Sequence, residues 1–404
     1  MLIDEFSSFE NKYLFEKKYD DFSYWVYSRY AIFSYLTKLQ EGIEMSSQKM
    51  TDGLICGIKN MIINSLRYRH KIKKIGHRDL LILNHERRVL KDGYYRCIYT
   101  EQIEEHYPNS VVLERPYFYK HLKPIQTERI FYSDCVELES LIYGFLECKL
   151  KAKKYRKAKK FFEKEMSIVA PEFQHMVKQE VSVEALSEML TRLYLLYCVK
   201  RKKFEKVIQK IQPKVILEVV SYNLDCMIFN EIAYEKKINT IELQHGVMSG
   251  SIAYYYPKNV LIKQFPQKVF LFSDYWKNCI SVPLEDKNVI SVGYPYFEEQ
   301  VKKYQKINRD KNKTTKVILF LSQWTIGENF SKFAVEFSNL INDKWKIIYK
   351  LHPGEYSNWK KRYPWLANSG IEVVDSLRHN IYEYFAISNV QVGVSSTAIF
   401  EGLG

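Results

Sequence analysis

The sequence predicts an α/β protein of two parallel-sheet domains that face each other across a cleft, with a helical N-terminal region. At 404 residues and 46% hydrophobic content, the chain exceeds one ordinary core and has enough apolar residues for two. Apolar runs of strand length alternate with segments of helical periodicity, a pattern typical of parallel sheets. Three of these runs end in polar loops near the C-terminus, where an open α/β sheet binds its ligands.

We expect the first domain to cover residues 1–310. Its start, up to about residue 75, is predicted to be helical and irregular, and residues 135–210 to be mainly helical. Six apolar runs are predicted strands: Leu80–Leu83, Ser110–Leu113, Val215–Val220, Thr240–Leu243, Val269–Phe272 and Val289–Val292. A helix over Leu224–Lys236 joins the third and fourth into a βαβ unit. The polar, lysine-rich stretch Gln305–Thr315 is the predicted linker.

Residues 311–404 form the predicted second domain, in which strand and helix alternate. Its predicted strands are Val317–Leu321, Lys346–Leu351, Ile371–Val374 and Val390–Val394. Asn380 is placed to cap the helix before the last strand, with Glu383 as its reciprocal partner. Because a parallel domain begun here would need more strands or a closing helix, we expect it to be truncated at its C-terminus.

The charge balance favours anionic partners. Lys and Arg number 61 against 47 Asp and Glu, a net charge of +14. The densest stretch, Lys149–Lys160, has eight basic residues and no acidic one. It predicts either a basic helix on an anionic membrane surface or a solvated helix face. Neither a helix-turn-helix nor an RRM pattern is present, so we expect no specific nucleic-acid partner.

Targeting and cysteine patterns favour the cytoplasm, or the inner face of the cell membrane. Met1–Phe6 lacks the basic start and apolar core of a secretory signal, and no apolar run is long enough to span a bilayer. The seven cysteines are scattered without a CxxC pair, which argues against a disulfide framework and a zinc knuckle. The sequence contains no DxD-like pair of acidic residues in a context that predicts a metal site.

Three strand-end loops predict a phosphate-bearing ligand. Their candidate binding residues are Ser322, Gln323 and Gly327 after the first strand, His352, Pro353, Gly354 and Glu355 after the second, and Ser395, Ser396 and Thr397 after the last. Hydroxyls and helix-start N–H groups suit an anion, Gly354 lets backbone approach a ligand, and His352 can donate to a phosphate oxygen. The competing interpretation is that the hydroxyls only cap a helix and that His352 bonds within its loop.

His245 is the second candidate catalytic residue. It follows the Thr240–Leu243 strand in Gln244-His245-Gly246, and a neutral imidazole there can take a proton from an attacking hydroxyl. A buried structural histidine is the alternative. Glu114 and Asp225, near other strand ends, are weaker candidates for the base.

His245-Gly246, Leu351-His352-Pro353 and Ser395-Ser396, in this order, resemble motifs of GT-B-fold glycosyltransferases that build bacterial capsule and surface polysaccharides. That group includes sialyl- and Kdo-transferases with HP and SS motifs, and the teichoic-acid glycerophosphotransferases are related. The resemblance covers about residues 210–404. It implies a GT-B-like fold with an acceptor-side N-terminal domain and a Rossmann-like domain for the nucleotide donor.

The resemblance also implies substrates and roles. The co-substrate would be a CMP-, CDP- or UDP-linked sugar with no tightly bound cofactor, and the acceptor a glycan or lipid-linked glycan. His352 and the Ser395–Ser396 pair would hold the donor phosphate, His245 would be the base or an acceptor contact, and Glu401 would bind the donor ribose or sugar. The chain departs from the teichoic-acid pattern at Gln244, where those enzymes have Trp, and it lacks the acidic base motif of polysialyltransferases.

Three other functions fit the same residues. A CDP-polyol phosphotransferase of the teichoic-acid type and a sugar-nucleotide epimerase share the expected architecture. The third alternative is a non-catalytic protein that binds nucleic acid or another anionic polymer through its net positive charge.

Overall fold

The structure, a computed structural model, describes residues 2–10, 14–42, 57–66, 75–85, 88–116, 120–257, 260–304, 315–323, 326–376, 380–394 and 396–403. The chain divides into two compact units, Met1–Gly293 and Tyr294–Gly404. Residues 305–314, which make up most of the expected linker and include the expected boundary at 310, lie outside the described residues.

The first unit is built on a parallel sheet of seven strands in the order β5-β4-β1-β6-β7-β8-β9. The strands are β1 (Leu80–Leu83), β4 (Ser110–Glu114), β5 (Ile130–Tyr132), β6 (Val215–Glu218), β7 (Asn239–Leu243), β8 (Lys268–Leu271) and β9 (Val289–Ser291). A separate antiparallel hairpin pairs β2 (Arg88–Lys91) with β3 (Tyr94–Cys97). All six predicted strands of this region are therefore confirmed, whereas β5 and the hairpin were not predicted.

Eight described helices belong to this unit. They are α1 (Leu2–Glu10), α2 (Tyr24–Gln40), α3 (57–66), α4 (Glu101–His106), α5 (Asp134–Lys149), α6 (Lys153–Val177), α7 (Val183–Ile211) and α8 (Leu224–Glu235). Side chains from α1, α2, α6, α7 and α8 share one apolar core with the sheet, including the fully buried Phe162, Phe173 and Phe229. The helical N-terminal region is thus part of this unit rather than an appendage.

Arg29 of α2 ties the N-terminal helices to a distant turn. It is 2% exposed, and its Nε and Nη2 donate to Glu10 at 2.7 and 2.5 Å. Its Nη1 donates to the carbonyl of Ile252 at 2.6 Å and its Nη2 to that of Tyr255 at 2.7 Å. The guanidinium also lies over the Tyr256 ring, 4.2 Å from its centroid. Each nitrogen of this buried cation therefore donates at least one hydrogen bond, which offsets its desolvation.

The second unit has a parallel sheet in the order β12-β11-β10-β13. Its strands are β10 (Lys316–Leu321), β11 (Trp345–Lys350), β12 (Glu372–Val374) and β13 (Val390–Gly393). Its helices are α9 (Pro295–Tyr304), α10 (Gly327–Ser338), α11 (Trp359–Arg362), α12 (Pro364–Ala367), α13 (Ile381–Ile387) and α14 (Thr397–Glu401). The predicted cap of α13 is present, since Asn380 and Glu383 bond each other's backbone. The predicted α/β class, with a parallel sheet in each unit, is confirmed.

Both sheets reverse their strand order at one point. In the first unit the chain moves outward from β1 to β4 and β5, then returns to β6 on the other side of β1. In the second it moves from β10 to β11 and β12, then returns to β13 on the other side of β10. Within each sheet, the loops that follow the two strands at this point diverge; these strands are β1 and β6 in the first unit and β10 and β13 in the second. The crevice between two such loops is where α/β sheets bind ligands.

Candidate functional site

The crevice of the second unit lies between the loops that follow β10 and β13. Leu321 pairs with Lys350 on one side and with Gly393 on the other, so the three neighbouring strands end at one level. The predicted residues Ser322, His352 and Ser396 follow these three ends. The ends of β11 and β13, which His352 and Ser396 follow, are two strand spacings apart, about 10 Å, at the same edge of the sheet. The topology therefore brings together the loops that the sequence singled out.

His352 caps a short turn with its side chain. The backbone N–H of Gly354 donates to its Nδ1 at 3.1 Å, at the start of the 3₁₀ turn Pro353–Glu355. An Nδ1 that accepts a bond carries no proton, so the neutral ring has its proton on Nε2. The exposed ring therefore carries its N–H on Nε2, and an N–H is a donor that a phosphate oxygen can accept.

Glu355 shapes this turn from below. It is 1% exposed, its Oε2 accepts the backbone N–H of His352 at 2.8 Å, and its Oε1 accepts Tyr363 Oη at 2.7 Å. Gly327, at the start of α10, packs so closely that a Cβ there would overlap Glu355 Oε1 and Tyr363 Oη. Glu355 and Gly327 therefore fix the loop that presents His352, a role that the sequence did not separate from ligand contact.

Ser396 is the N-cap of α14, and its Oγ accepts the N–H of Ala398 at 3.3 Å. Thr397 is the first residue of that five-residue helix. Ser395 lies outside the described residues. Glu401 is 7% exposed, and its Oε2 accepts Tyr382 Oη at 2.9 Å. The capping interpretation of Ser396 is thus what the hydrogen bonds show, and Glu401 has a partner inside the unit.

Ser322 and Lys350 form the floor of the crevice. Ser322 is buried, its N–H donates to the carbonyl of Lys350 at 2.9 Å, and its Oγ accepts Tyr349 Oη at 3.2 Å. Gln323, beside it, is half-buried. Lys350 is 7% exposed; its Nζ donates to the carbonyl of Ser376 at 3.3 Å and also to Tyr356 Oη. Burial lowers the pKa of Lys350 to about 8.

Lys350 is therefore a cation at the ligand edge that sequence reasoning missed. The signal available was a lysine at the last position of the strand, directly after the buried hydrophobic residues Ile347–Tyr349.

In the first unit, His245 lies at the carboxyl end of β7. Its carbonyl accepts Tyr99 Oη at 2.6 Å, and its Nε2 lies 3.4 Å from Tyr222 Oη. Gln244, which is 1% exposed, fixes the loop because its Nε2 donates to the carbonyl of Gly246 at 2.8 Å and its Oε1 accepts the N–H of Phe272 at 2.8 Å. The residue that departs from the resembled pattern thus holds the His245 loop in place.

Aromatic rings surround His245 at the switch between β1 and β6. The His85 ring, after β1, lies 5.8 Å from the His245 ring, and the Tyr222 ring, after β6, lies 6.0 Å from it. Tyr30, 40% exposed, packs against Tyr222 with ring centroids 4.6 Å apart and ring planes tilted by 34°. His85 and Tyr222 were not predicted as site residues, because only the strand order brings them to His245. An exposed tyrosine and a half-buried one near a histidine suit a hydroxylated, ring-shaped ligand.

Two buried carboxyl groups lie in register behind these loops. Glu218 and Glu242 pair across β6 and β7, and both are 0% exposed. Burial, together with the neighbouring Glu242, raises the pKa of Glu218 to about 8. Burial raises the pKa of Glu242 to about 7, against the hydrogen bonds from Ser221 N–H at 3.0 Å and Tyr254 Oη at 2.8 Å. At neutral pH the pair therefore holds at least one proton.

The two weaker candidates for the base have other partners. Glu114 is buried and accepts hydrogen bonds from Arg88 and, at 2.9 Å, from His121 Nδ1. Burial opposes ionisation, but these partners outweigh it and lower the pKa of Glu114. Asp225 pairs with Lys200 Nζ at 2.7 Å. Both carboxylates are thus held by ion pairs within the unit, whereas His245 is half-buried at the carboxyl end of its strand.

Among the described residues, no helix has both the length and the apolar character needed to cross a membrane.

Comparisons with known proteins give structural neighbours but no family. No protein-family model and no curated protein match the chain. The UDP-GlcNAc 2-epimerase of Neisseria meningitidis bound to UDP-GlcNAc is 13% identical, with 50% of this chain and 60% of that chain covered and a TM-score of 0.36. The UDP-N-acetylglucosamine 2-epimerase of Rickettsia bellii is 12% identical, with coverages of 79% and 74% and a TM-score of 0.39.

The wall teichoic acid polymerase TagF is 11% identical, with 88% of this chain and 77% of that chain covered and a TM-score of 0.40. Likeness at these scores does not assign the chain to a family.

Proposed function

We propose that the protein is a glycosyltransferase that moves a sugar from a nucleotide donor to a glycan or lipid-linked glycan of a bacterial surface polysaccharide. The observation that supports it most is the second unit's switch point. There a histidine with its proton on Nε2, a capped helix start and a buried lysine follow or end neighbouring strands. These are donors and a cation suited to a diphosphate or phosphodiester.

His352 is proposed to donate from Nε2 to a phosphate oxygen of the donor. In the transfer step the bond between the sugar's anomeric carbon and the phosphate oxygen breaks, and its electron pair stays on the nucleotide. A donor that bonds this oxygen more strongly as charge develops lowers the barrier. Lys350, beneath the loop, adds positive potential at the same edge.

His245 is proposed as the base. The acceptor hydroxyl forms the new bond to the anomeric carbon, and its proton passes to the imidazole. Gln244 and Tyr99 fix the backbone on both sides of the ring, which reduces the number of orientations it must lose on binding the acceptor. Tyr222 and Tyr30 offer ring faces on which the acceptor sugar can stack.

The test is ligand-induced stabilisation with CMP-, CDP-, UDP- and GDP-linked sugars. A ligand that binds only the native state at a hundred times its Kd stabilises by about 2.7 kcal/mol, a readily measured shift in Tm. The variant His352→Asn keeps an acceptor for the Gly354 N–H but lacks the Nε2 donor. We expect it to lose the donor-induced shift while its own Tm stays at the wild-type value. His175→Ala, an exposed histidine of α6, is the matched control and should keep the shift.

His245→Ala separates the two roles. It should keep the donor-induced shift and lose transfer, measured as release of free nucleotide that depends on the acceptor. Equal loss of donor binding in His352→Asn and His245→Ala would refute this division. Stabilisation by oligonucleotides alone would refute the transferase itself, and transfer from a CDP-polyol alone would identify the phosphotransferase.

A further inference from the structure

The outer face of α5 is apolar where an ordinary surface helix is polar. Its inner side packs against α7, where Glu137 pairs with Lys200 at 2.5 Å and Val136 and Ser140 are buried. The outer residues, which we call the α5 face, are Leu141 (40% exposed), Ile142 (50%), Phe145 (62%), Leu146 (47%) and Leu150 (71%). They follow helical spacing along one side, and a contiguous exposed apolar patch of this kind marks an interaction surface.

A second helix that contacts the start of α5 also exposes apolar residues. In α3 the exposed residues Ile58, Ile62 and Leu66 recur every four positions, at 38%, 43% and 66% exposure. Asn64 of α3 donates to Asp134 Oδ1, at the start of α5, at 3.0 Å. This bond shows that α3 meets α5 at its first residue, so the α5 face does not include α3.

Basic residues adjoin the α5 face at the turn into α6. Six of the eight cations between Glu147 and Glu163 are exposed; we call them the basic rim, and they are Lys149, Lys151, Lys153, Arg156, Lys157 and Lys160. The other two are engaged, because Lys154 lies over the Tyr194 ring at 5.1 Å and Lys159 bonds Ser187 Oγ at 2.9 Å. No ion pair joins the basic rim to any acid of the described chain.

We propose that the α5 face and the basic rim form one docking surface for an anionic lipid bilayer. Leu150 is the most exposed member of the α5 face and lies at the turn, between Lys149 and Lys151. An apolar side chain at a tip, flanked by lysines, can enter the acyl boundary while the ammonium groups reach lipid phosphates. Lys149 already lies over the Phe145 ring at 5.5 Å, so apolar and basic groups are intermixed.

The positive charge of the basic rim favours an anionic bilayer over a second copy of the chain or a free polymer. A second copy of the chain docked symmetrically here would bring six cations against six, without an acid between Glu147 and Glu163 to offset them. A free anionic polymer would pair with the basic rim but leave the α5 face in water. A surface that is both apolar and anionic satisfies both features.

The experiment is flotation of the full chain with vesicles of phosphatidylcholine alone or mixed with phosphatidylglycerol. We expect binding to the mixed vesicles and little to phosphatidylcholine, with affinity falling as salt rises. The variant K153Q/R156Q/K157Q/K160Q should bind at least about a hundredfold more weakly, because each cation near an anionic surface contributes about fivefold. The control K202Q/K206Q/K302Q/K303Q loses the same charge from exposed lysines elsewhere and should bind like the wild type.

The α5 face is tested by F145S/L146S/L150S, which should weaken vesicle binding about tenfold or more and leave the Tm unchanged, because these side chains are exposed. Its control, L90S/L261S/L340S, replaces leucines that are 63%, 68% and 82% exposed elsewhere.

Equal binding to both vesicle types, or equal losses in test and control variants, would overturn the proposal. So would an α5-face variant that keeps vesicle binding but changes the sedimenting mass, which would indicate contact between copies. The donor-induced Tm shift does not involve this surface, so either proposal can fail without the other.

Discussion

The buried pair Glu218 and Glu242 predicts an unusual dependence of stability on pH. In the unfolded chain both carboxyls lose their protons near the ordinary value of 4.5, whereas in the folded chain Glu218 keeps its proton up to a pKa of about 8. Between these values the unfolded chain binds fewer protons, so the free energy of unfolding falls as pH rises. The contribution of Glu218 to the free energy of unfolding is fully present below about pH 4.5 and is lost as pH rises through the folded pKa.

The size of the effect follows from the shift. At 1.36 kcal/mol per pKa unit, moving the pKa of Glu218 from 4.5 to about 8 corresponds to about 5 kcal/mol between acid and alkaline pH. Glu218→Gln removes this ionisation. In the wild type, Glu218 Oε1 accepts the side-chain amide of Asn230 at 2.8 Å, and the glutamine Oε1 of the variant can accept the same bond. The glutamine Nε2 adds a donor beside Glu242. The variant should therefore equal the wild type near pH 5 and exceed it by several kcal/mol near pH 9.

Urea unfolding followed by circular dichroism, at a series of pH values, measures this difference. Glu180→Gln, at an exposed position of the same unit, is the matched control and should follow the wild type at every pH. A Glu218→Gln curve parallel to the wild type would mean that Glu218 ionises normally in the folded protein. A variant less stable at all pH values would mean that the carboxylate has a charged partner, and either result refutes the reasoning.

Three further predictions concern the site loops. The pKa of Lys350 is about 8 in the folded chain and 10.5 in the unfolded chain, so between these values the unfolded chain binds the extra proton and stability rises with pH. Lys350→Met should abolish this rise and stabilise the protein by about 3 kcal/mol below pH 8. Urea titrations across that pH range test it. Gly327→Ala should lower stability by about 1–3 kcal/mol, because the new Cβ overlaps Glu355 and Tyr363, which are bonded to each other; an unchanged Tm would contradict this packing. Gln244→Leu should lower acceptor-dependent turnover but keep the donor-induced Tm shift, and a loss of that shift would show that the loop serves the donor.

Periodicity predicted most of the two sheets because buried parallel strands are short apolar runs between turn signals. Leu80–Leu83 matches its predicted bounds, and the other predicted strands agree to within two residues. β5 escaped because Ile130–Tyr132 offers only three residues, too few to show a period. The hairpin was missed although Asp92-Gly93, both with positive φ, is a strong turn signal between its strands.

The site was predictable only as far as single loops. His245, His352 and Ser396 each follow a predicted strand within a few residues along the chain, so the sequence alone identifies them as strand-end residues. The neighbours of His245 depend on β1 lying beside β6, a pairing of segments more than 130 residues apart that no local pattern encodes. Likewise His-Pro-Gly-Glu does not reveal that Glu355 turns inward to Tyr363.

The Arg29 contact has a consequence for synthesis. Its carbonyl partner at Ile252 lies 223 residues further along the chain. At roughly 5–20 residues per second, the ribosome delivers that turn on the order of ten to forty seconds after Arg29. Early in this interval the aromatic side chains of α1 and α2 also lack α6 and α7, because Phe6 and Trp25 pack against Phe173 and Tyr27 packs against Tyr197. Their apolar surface therefore stays uncovered until those helices leave the ribosome.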